Sequence, residues 1–302
     1  MKKFSMTLFF KNLKYLCQYN IKKMNRLSEK SAESVSFEQL NKGMDNLVYE
    51  LPFMTPPPLP KIKNYEETVD ELIKTDKSII RFGDGELFLI SGRSIGFQAA
   101  NPLLCKRLSE IFNVDDERIM IGINYYYWYA SLSNFHEYPK FVYRTFISDI
   151  RQMAETMISY DKQYYSAGFT NMYTTFKHYN FSAFFEKIKN IFANKCVTIV
   201  CGSHVFNDIK FNIFDCCKSV DYILCPSQNA IDCYDEILKK SKQIPKENIV
   251  IVILGPTGKI LAYDLIKSGY RVLDLGHLAK DYDAFMKQIP MTQQNIGKFF
   301  EN

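Results

Sequence analysis

The chain lacks the patterns by which several protein classes are recognised. No run of 18 apolar residues occurs in its 302 residues, so a spanning helix is not expected. Thirteen glycines and eleven prolines are too few for a collagen-like or low-complexity chain. The eight cysteines (Cys17, Cys105, Cys196, Cys201, Cys216, Cys217, Cys225 and Cys233) form no C-x-x-C pair and mostly sit in apolar runs. That pattern reads as reduced, buried thiols of a cytoplasmic protein rather than a disulfide framework. A zinc site is not expected from the cysteine and histidine spacing. Met6–Phe10 is too short for the apolar core of a signal peptide, and no small-residue cleavage site follows.

Acidic residues are scarce only at the start of the chain. Residues 1–30 carry eight Lys or Arg against Glu29 alone, whereas the remainder is close to neutral. A basic surface extending over the whole molecule is therefore excluded, and with it the usual nucleic-acid binder. Forty-seven per cent apolar residues allow a sizeable core and exclude a disordered chain.

Residues 4–27 place Met6, Phe9, Leu13, Leu16, Ile21 and Met24 on one helical face, opposite Lys11, Lys14 and Lys22. Two readings fit. Such a helix lies on an anionic membrane surface, or it docks by its apolar face on its own domain or on a partner subunit, which leaves a homo-oligomer open. A polar stretch, 28–46, leads to five prolines within Pro52–Pro60, a stiff spacer. The expected division is thus an N-terminal helical extension with its linker, 1–60, and a main domain, 61–302.

In the main domain Asn64 is a helix cap with Glu67 at the third position. Ser78–Phe82 and Arg118–Ile123 read as strands, and Phe146, Ile150, Met153 and Met157 mark a long helix. From Cys196 onward short apolar runs (197–201, 222–225, 249–254, 271–275) alternate with helical segments near 204–214, 228–240 and 257–268. This alternation predicts an α/β fold, a Rossmann-like and mostly parallel sheet flanked by helices, which binds its ligand at the C-terminal ends of the strands.

Three blocks carry candidate chemistry. In Arg81-Phe82-Gly83-Asp84-Gly85-Glu86 the two acids stand at i and i+2, on one side of an extended backbone. Two carboxylates so close repel unless a cation lies between them, and the glycines let both reach one Mg²⁺ or Mn²⁺. Arg81 is placed to pair with a phosphate. A plain Gly-Asp-Gly turn is the competing reading. In Leu254-Gly255-Pro256-Thr257-Gly258-Lys259 a strand passes into a helix whose N-terminus is an anion site. This is neither a Walker A loop nor G-x-G-x-x-G. In Leu273-Asp274-Leu275-Gly276-His277 the histidine emerges at the same edge, placed to bond a phosphate, bind the metal or act as a base. Ser203 and Asn229 follow two other strands. Asn229 reads as a helix cap or a contact to a nucleotide's base or ribose. Ser203 with the adjacent His204 makes no nucleophile–base pair, and G-x-S-x-G is absent. Tyr125-Tyr126-Tyr127-Trp128-Tyr129 suits a core or interface better than a sugar site.

Together, Ser78–Glu86, Pro226–Leu238 and Leu254–Leu278 resemble the GT-D-fold bacterial glycosyltransferases, a family of adhesin and cell-surface glycan clusters. The resemblance extends over about residues 61–290, and Leu-Gly-Pro-Thr, Leu-Ala-Tyr-Asp-Leu and Asp-Leu-Gly-His are its most specific runs. It implies a metal-dependent hexosyltransferase using a UDP-sugar, with Asp84-Gly85-Glu86 as the D-x-E metal motif. The acceptor would be a glycan, glycopeptide or lipid-linked sugar. On that reading Asp84, Glu86 and His277 act in catalysis. Arg81, Gly83, Gly85, Ser203, Asn229, Gly255, Pro256, Thr257 and Lys259 line the donor site. Lys259 departs from the family pattern, which has smaller or uncharged residues after Pro-Thr, and the first 60 residues lie outside it. A non-catalytic nucleotide-binding scaffold is the alternative.

Overall fold

In the computed structural model, residues 59–96, 98–129 and 132–300 are described. The basic N-terminal helix, the polar stretch and most of the proline-rich linker lie outside them. The sheet belongs to one of the chain's two compact units, Pro58–Tyr143 with Asp149–Asn302.

Eight parallel strands form this sheet: β1 (Lys61–Ile62), β2 (Ser78–Phe82), β3 (Ile119–Ile123), β4 (Gln163–Ser166), β5 (Cys196–Gly202), β6 (Ser219–Cys225), β7 (Ile249–Ile253) and β8 (Val272–Asp274). Their order across the sheet is β1-β4-β3-β2-β8-β7-β5-β6. β3 and β7 are buried at every residue. Strands covered on both faces read as unbroken apolar runs, which is why they stand out in the sequence.

The helices between strands are α1 (Tyr65–Lys74), α2 (Asp84–Ile90), α3 (Pro102–Phe112), α4 (Glu137–Glu155), α5 (Met172–Thr175), α6 (Phe181–Lys189), α7 (Tyr234–Ser241) and α8 (Gly255–Lys267). α9 (Leu278–Met286) and α10 (Gln293–Phe300) come after β8. Right-handed crossovers determine which face each covers. Connections running toward the β1 edge place α2, α3, α7 and α8 together on one face, and those running the other way place α1, α5 and α6 on the opposite face, where α9 joins them. α1 begins with the expected capping box: Glu67 N–H donates to Asn64 Oδ1 (3.0 Å) and Asn64 N–H to Glu67 Oε2 (2.8 Å).

Three local expectations are corrected. The Asp84-Gly85-Glu86 run is the first turn of α2, not an extended segment, so its acids occupy the first and third helical positions. Residues 204–214 do not form a helix. The N–H groups of Lys210 and Phe211 donate to the Asp283 carboxylate of α9 (3.0 and 2.9 Å), so a distant side chain takes the place of helical carbonyls. The segment near 228–240 is helical from Ala230, as a 3-10 turn over Ala230–Cys233 that leads into α7; its start falls after Asn229, whose left-handed φ of 46° keeps that residue out of the helix. All seven described cysteines are free, with Cys201 and Cys225 buried. Among the described residues no helix is long and apolar enough to cross a membrane.

Helix α8 approaches β7 closely at Gly258, where a Cβ would lie 2.8 Å from Val252 Cγ1. Gly258→Ala is expected to lower the unfolding free energy by about 1–3 kcal/mol, read from the denaturation midpoint, because the added methyl forces two packed layers apart.

Candidate active site

Parallel strands put all their C-terminal ends on one edge of the sheet. After β2 the chain turns to the face of α2 and α3, and after β8 to the opposite face with α9. The gap between these neighbouring strands is the topological switch point, where ligands of open α/β sheets bind. Arg81, Asp84, Glu86, Asp274, Gly276 and His277 all belong to the two segments that leave it.

Asp274, the last residue of β8, is the hub. It is 2% exposed. Its Oδ2 accepts the Arg81 N–H (3.0 Å) and meets Lys259 Nζ of α8 (3.1 Å), while Oδ1 lies 3.4 Å from Arg81 Nη2. Burial pushes the Asp274 carboxyl up, but the Lys259 and Arg81 charges outweigh it and hold the group below its ordinary value. Lys259, 5% exposed, also reaches Glu86 Oε1 (3.3 Å), and Glu86 Oε2 accepts the Gly83 N–H (2.8 Å). Lys259 is therefore not a solvated surface charge but a buried link between α2 and β8.

Arg81 is held more tightly than a free phosphate ligand would be. Nε donates to Asp274 O (2.8 Å), and Nη1 donates to Ala167 O (2.9 Å) and Thr170 Oγ1 (2.7 Å). Gly276, at φ 44°, gives the guanidinium its space: a Cβ there would fall 1.8 Å from Arg81 Nη2. Asp274 and Gly276 stand in the same run as His277, yet spacing singles out only the histidine. A strand-end Asp followed by a glycine able to adopt positive φ was the available signal.

Asp84 is exposed to solvent although protein surrounds it on most sides, as in a cleft. This crowding, and then the Glu86 carboxylate beside it, push its carboxyl above the ordinary value. Tyr126 and Tyr127, in the short helical turn after β3, lie within reach of the Asp84 charge. They belong to the aromatic packing that includes Phe135, as the core reading of that run expects. Burial first, then the charges of Arg81, Lys280 and Lys259, lower the His277 pKa to about 3, so its imidazole is neutral at physiological pH. Its ring meets Phe299 at 5.5 Å.

The remaining predicted residues are spread along the edge. Gly255 (φ 53°) and Pro256 open α8, and the Thr257 hydroxyl lies 3.5 Å from Gln98 Oε1. Asn229 makes no side-chain cap. Its Oδ1 accepts the Ala99 N–H (3.2 Å), tying the loop after α2 to the loop after β6. Ser203 Oγ lies 3.4 Å from Ser227 Oγ, beyond β5. Three strand spacings separate β5 from β2, roughly 14 Å, so Ser203 is remote from the acids.

Among the described residues no group of three or more His, Cys, Asp or Glu side chains converges as a metal shell. Two carboxylates suffice for Mg²⁺ or Mn²⁺ when substrate phosphates complete the coordination. Asp84 reaches solvent, and each Glu86 oxygen retains a second lone-pair direction. The acids fit a dication that arrives with a phosphate, not a self-sufficient protein cage.

A doubly wound sheet with an acidic pair, a buried lysine and a neutral histidine at its switch point marks this edge as the ligand-binding edge of an α/β protein. The chain matches the family described as "Glycosyltransferase GT-D fold" over residues 79–300 and belongs to that family. It is 29% identical over 227 residues to "Probable glycosyl transferase Gly" of Streptococcus gordonii, which covers 74% of this chain and 33% of that protein. It is 27% identical over 224 residues to "Glycosyltransferase GlyD" of Streptococcus pneumoniae serotype 4, again 74% of this chain but 27% of that protein. The chain thus spans about a third or less of the length of these curated relatives. Among solved structures it is similar to "A New Glycosyltransferase (DUF1792) from Streptococcus sanguinis", with TM-score 0.70, 28% identity and coverage of 76% of this chain and 86% of that one. A structure described as "The highly conserved domain of unknown function 1792 has a distinct glycosyltransferase fold" gives TM-score 0.70 at 25% identity, covering 83% and 86%.

The hub has two measurable consequences. Asp274, held below its ordinary pKa, contributes stability that is present above about pH 4 and is lost as pH falls through its folded value. The stability gap between the native protein and Asp274→Asn is therefore expected to narrow between pH 5 and pH 2 in denaturant titrations. Gly276→Ala is expected to lower the melting temperature by several degrees, because about 1–3 kcal/mol of backbone strain adds to eviction of Arg81 from its site. An unchanged melting curve would contradict the packing described.

Proposed function

We propose that this domain transfers a hexose from a UDP-sugar to a glycan, glycopeptide or lipid-linked acceptor during synthesis of cell-surface glycans. The observation that carries the reading is the Asp84–Glu86 pair at the N-terminus of α2, at the switch point of a sheet whose family is described as glycosyltransferase. The names of the relatives support the reaction class. A cytoplasmic site of action, with residues 1–30 on the inner membrane face, belongs to the same proposal.

Bond cleavage in such a donor leaves negative charge on the diphosphate. Asp84 and Glu86 would hold a divalent cation, Mn²⁺ or Mg²⁺, which when bound supplies Lewis-acid stabilisation of that charge. The chain's own residues supply the rest. The N–H groups of Gly255 and Thr257, in the first turn of α8 where Pro256 has none, lie at the positive end of the helix dipole and would meet the diphosphate there. Lys259 fixes Glu86 relative to β8 and so keeps one of the two acids in place while Asp84 stays accessible. Arg81 is a positioning residue: it locks the Asp274–His277 segment against β2 and the turn at Ala167–Thr170. A histidine with a pKa near 3 is a poor base at neutral pH, so His277 is assigned to hydrogen bonding or metal ligation, not to proton removal from the acceptor. The general base is unassigned.

UDP release from a panel of UDP-sugars, with and without EDTA, tests the reading. Turnover that EDTA abolishes and Mn²⁺ or Mg²⁺ restores is expected. Asp84→Asn is expected to lose at least a hundredfold in kcat while keeping the native circular dichroism spectrum and melting temperature. UDP binding without turnover of any donor would favour the scaffold reading instead.

A further inference from the structure

A cavity of about 270 Å³ lies on the α9 face, between the turn after β5, α9 and α10. Val205, Ile209, Ile289, Met291 and Phe299 give it apolar walls, and Lys280 lines it from the first turn of α9. Lys280 Nζ is buried and, among the described residues, has no hydrogen-bond partner. The other charges around the cavity are engaged differently. Lys287 pairs with Asp283 Oδ2 (2.6 Å) and donates to Asp208 O (2.9 Å). Asp283 Oδ1 takes the two N–H groups of the preceding loop.

A buried ammonium without an acceptor is costly, and a protein that retains one normally has a use for it. Burial lowers the Lys280 pKa, and the charge of Asp208, which also lines the cavity, only partly opposes that; a bound anion would have to outcompete this carboxylate for the ammonium. Lys280 lines the cavity, and the flexible four-carbon stem of a lysine allows its amine to reposition toward a ligand there. The cavity also adjoins the proposed transfer site. Phe299 forms its wall and packs on the His277 ring, and Lys280 is close enough to His277 to lower its pKa. Its volume is near the small end of ligand pockets, room for one sugar ring. Apolar walls suit the carbon-bearing face of a sugar, and the unpartnered cation suits an oxyanion.

We propose that this cavity is an acceptor subsite, which binds a sugar-sized group carrying a carboxylate or phosphate, with Lys280 as its anion-recognising residue. The proposal deepens the glycosyltransferase reading and rests on it for the word acceptor. The binding itself requires no donor.

Glucuronate and glucose 6-phosphate are the charged probes, and glucose is the neutral control. Each is titrated into the full chain by isothermal calorimetry without nucleotide or added metal. At least one charged probe is expected to bind, with at least tenfold weaker binding to Lys280→Met and no measurable binding of glucose. Which charged probe binds tells a carboxylate from a phosphate ligand. Lys280→Met is expected to fold with an equal or higher melting temperature, and Lys280→Gln serves as a second variant should it not fold. Equal binding by the variant, equal binding of glucose, or no binding of either charged probe would overturn the proposal. Asp84→Asn is expected to keep this binding, so failure of the donor chemistry and failure of this subsite are read separately.

Discussion

The carboxylate of Asp274 is the constraint on which the site depends. It terminates β8, lies next to β2, and accepts from two cations that come from different layers of the fold. Arg81 belongs to the neighbouring strand and Lys259 to the helix that precedes β8. Placing one acid between two bases in a buried position is favourable only because Glu86, paired with Lys259, balances the second cation and the hydrogen bonds are made. Removing a single partner would leave an uncompensated buried charge, which costs about 3–5 kcal/mol. The cluster therefore fixes the relative position of β2, β8, α2 and α8 more firmly than apolar contacts alone, which tolerate sliding.

That arrangement separates the two acids of the D-x-E run by role. Glu86 is tied down by Lys259 and by the Gly83 N–H, whereas Asp84 opens toward solvent and feels the repulsion of Glu86. One carboxylate is built into the frame and the other is left to meet a ligand. A helical first turn suits this division better than an extended strand. Residues i and i+2 of a helix leave the backbone roughly 200° apart, so one faces the packed layer and the other does not, yet the two carboxylates stay near enough for Glu86 to raise the Asp84 pKa. His277, surrounded by the same cations, stays neutral.

Most of the architecture was legible in the sequence because it arises from continuous apolar runs. Ile249–Ile253, Cys196–Gly202 and Ile119–Ile123 are buried strands whose pattern admits little else, and α8 is bracketed by Pro256 and by Gly269 at φ 87°. What could not be read was set by partners distant in sequence. The stretch after β5 has helical spacing, yet Asp283, more than 70 residues later, binds its N–H groups and holds it in turns. Arg81 has the composition of a phosphate ligand, but Ala167, Thr170 and Asp274 use its donors. The short β1 and β4 carry too few residues for periodicity to show.

The site residues divide along the same line. Asp84, Glu86 and His277 are visible because motif and strand end coincide, and the fold brings their segments to one crevice. Ser203 and Asn229 share the edge but serve local contacts, Ser203 beside Ser227 and Asn229 on the loop at Ala99. Lys259 shows why charge alone misleads. After Pro-Thr, at a helix N-terminus, a lysine invites a phosphate role, but with 5% exposure and two carboxylates at 3.3 and 3.1 Å its charge is already spent within the protein. Lys280 is the reverse case: nothing in its sequence neighbourhood marks it, and only its burial reveals an ammonium that no hydrogen bond among the described residues satisfies.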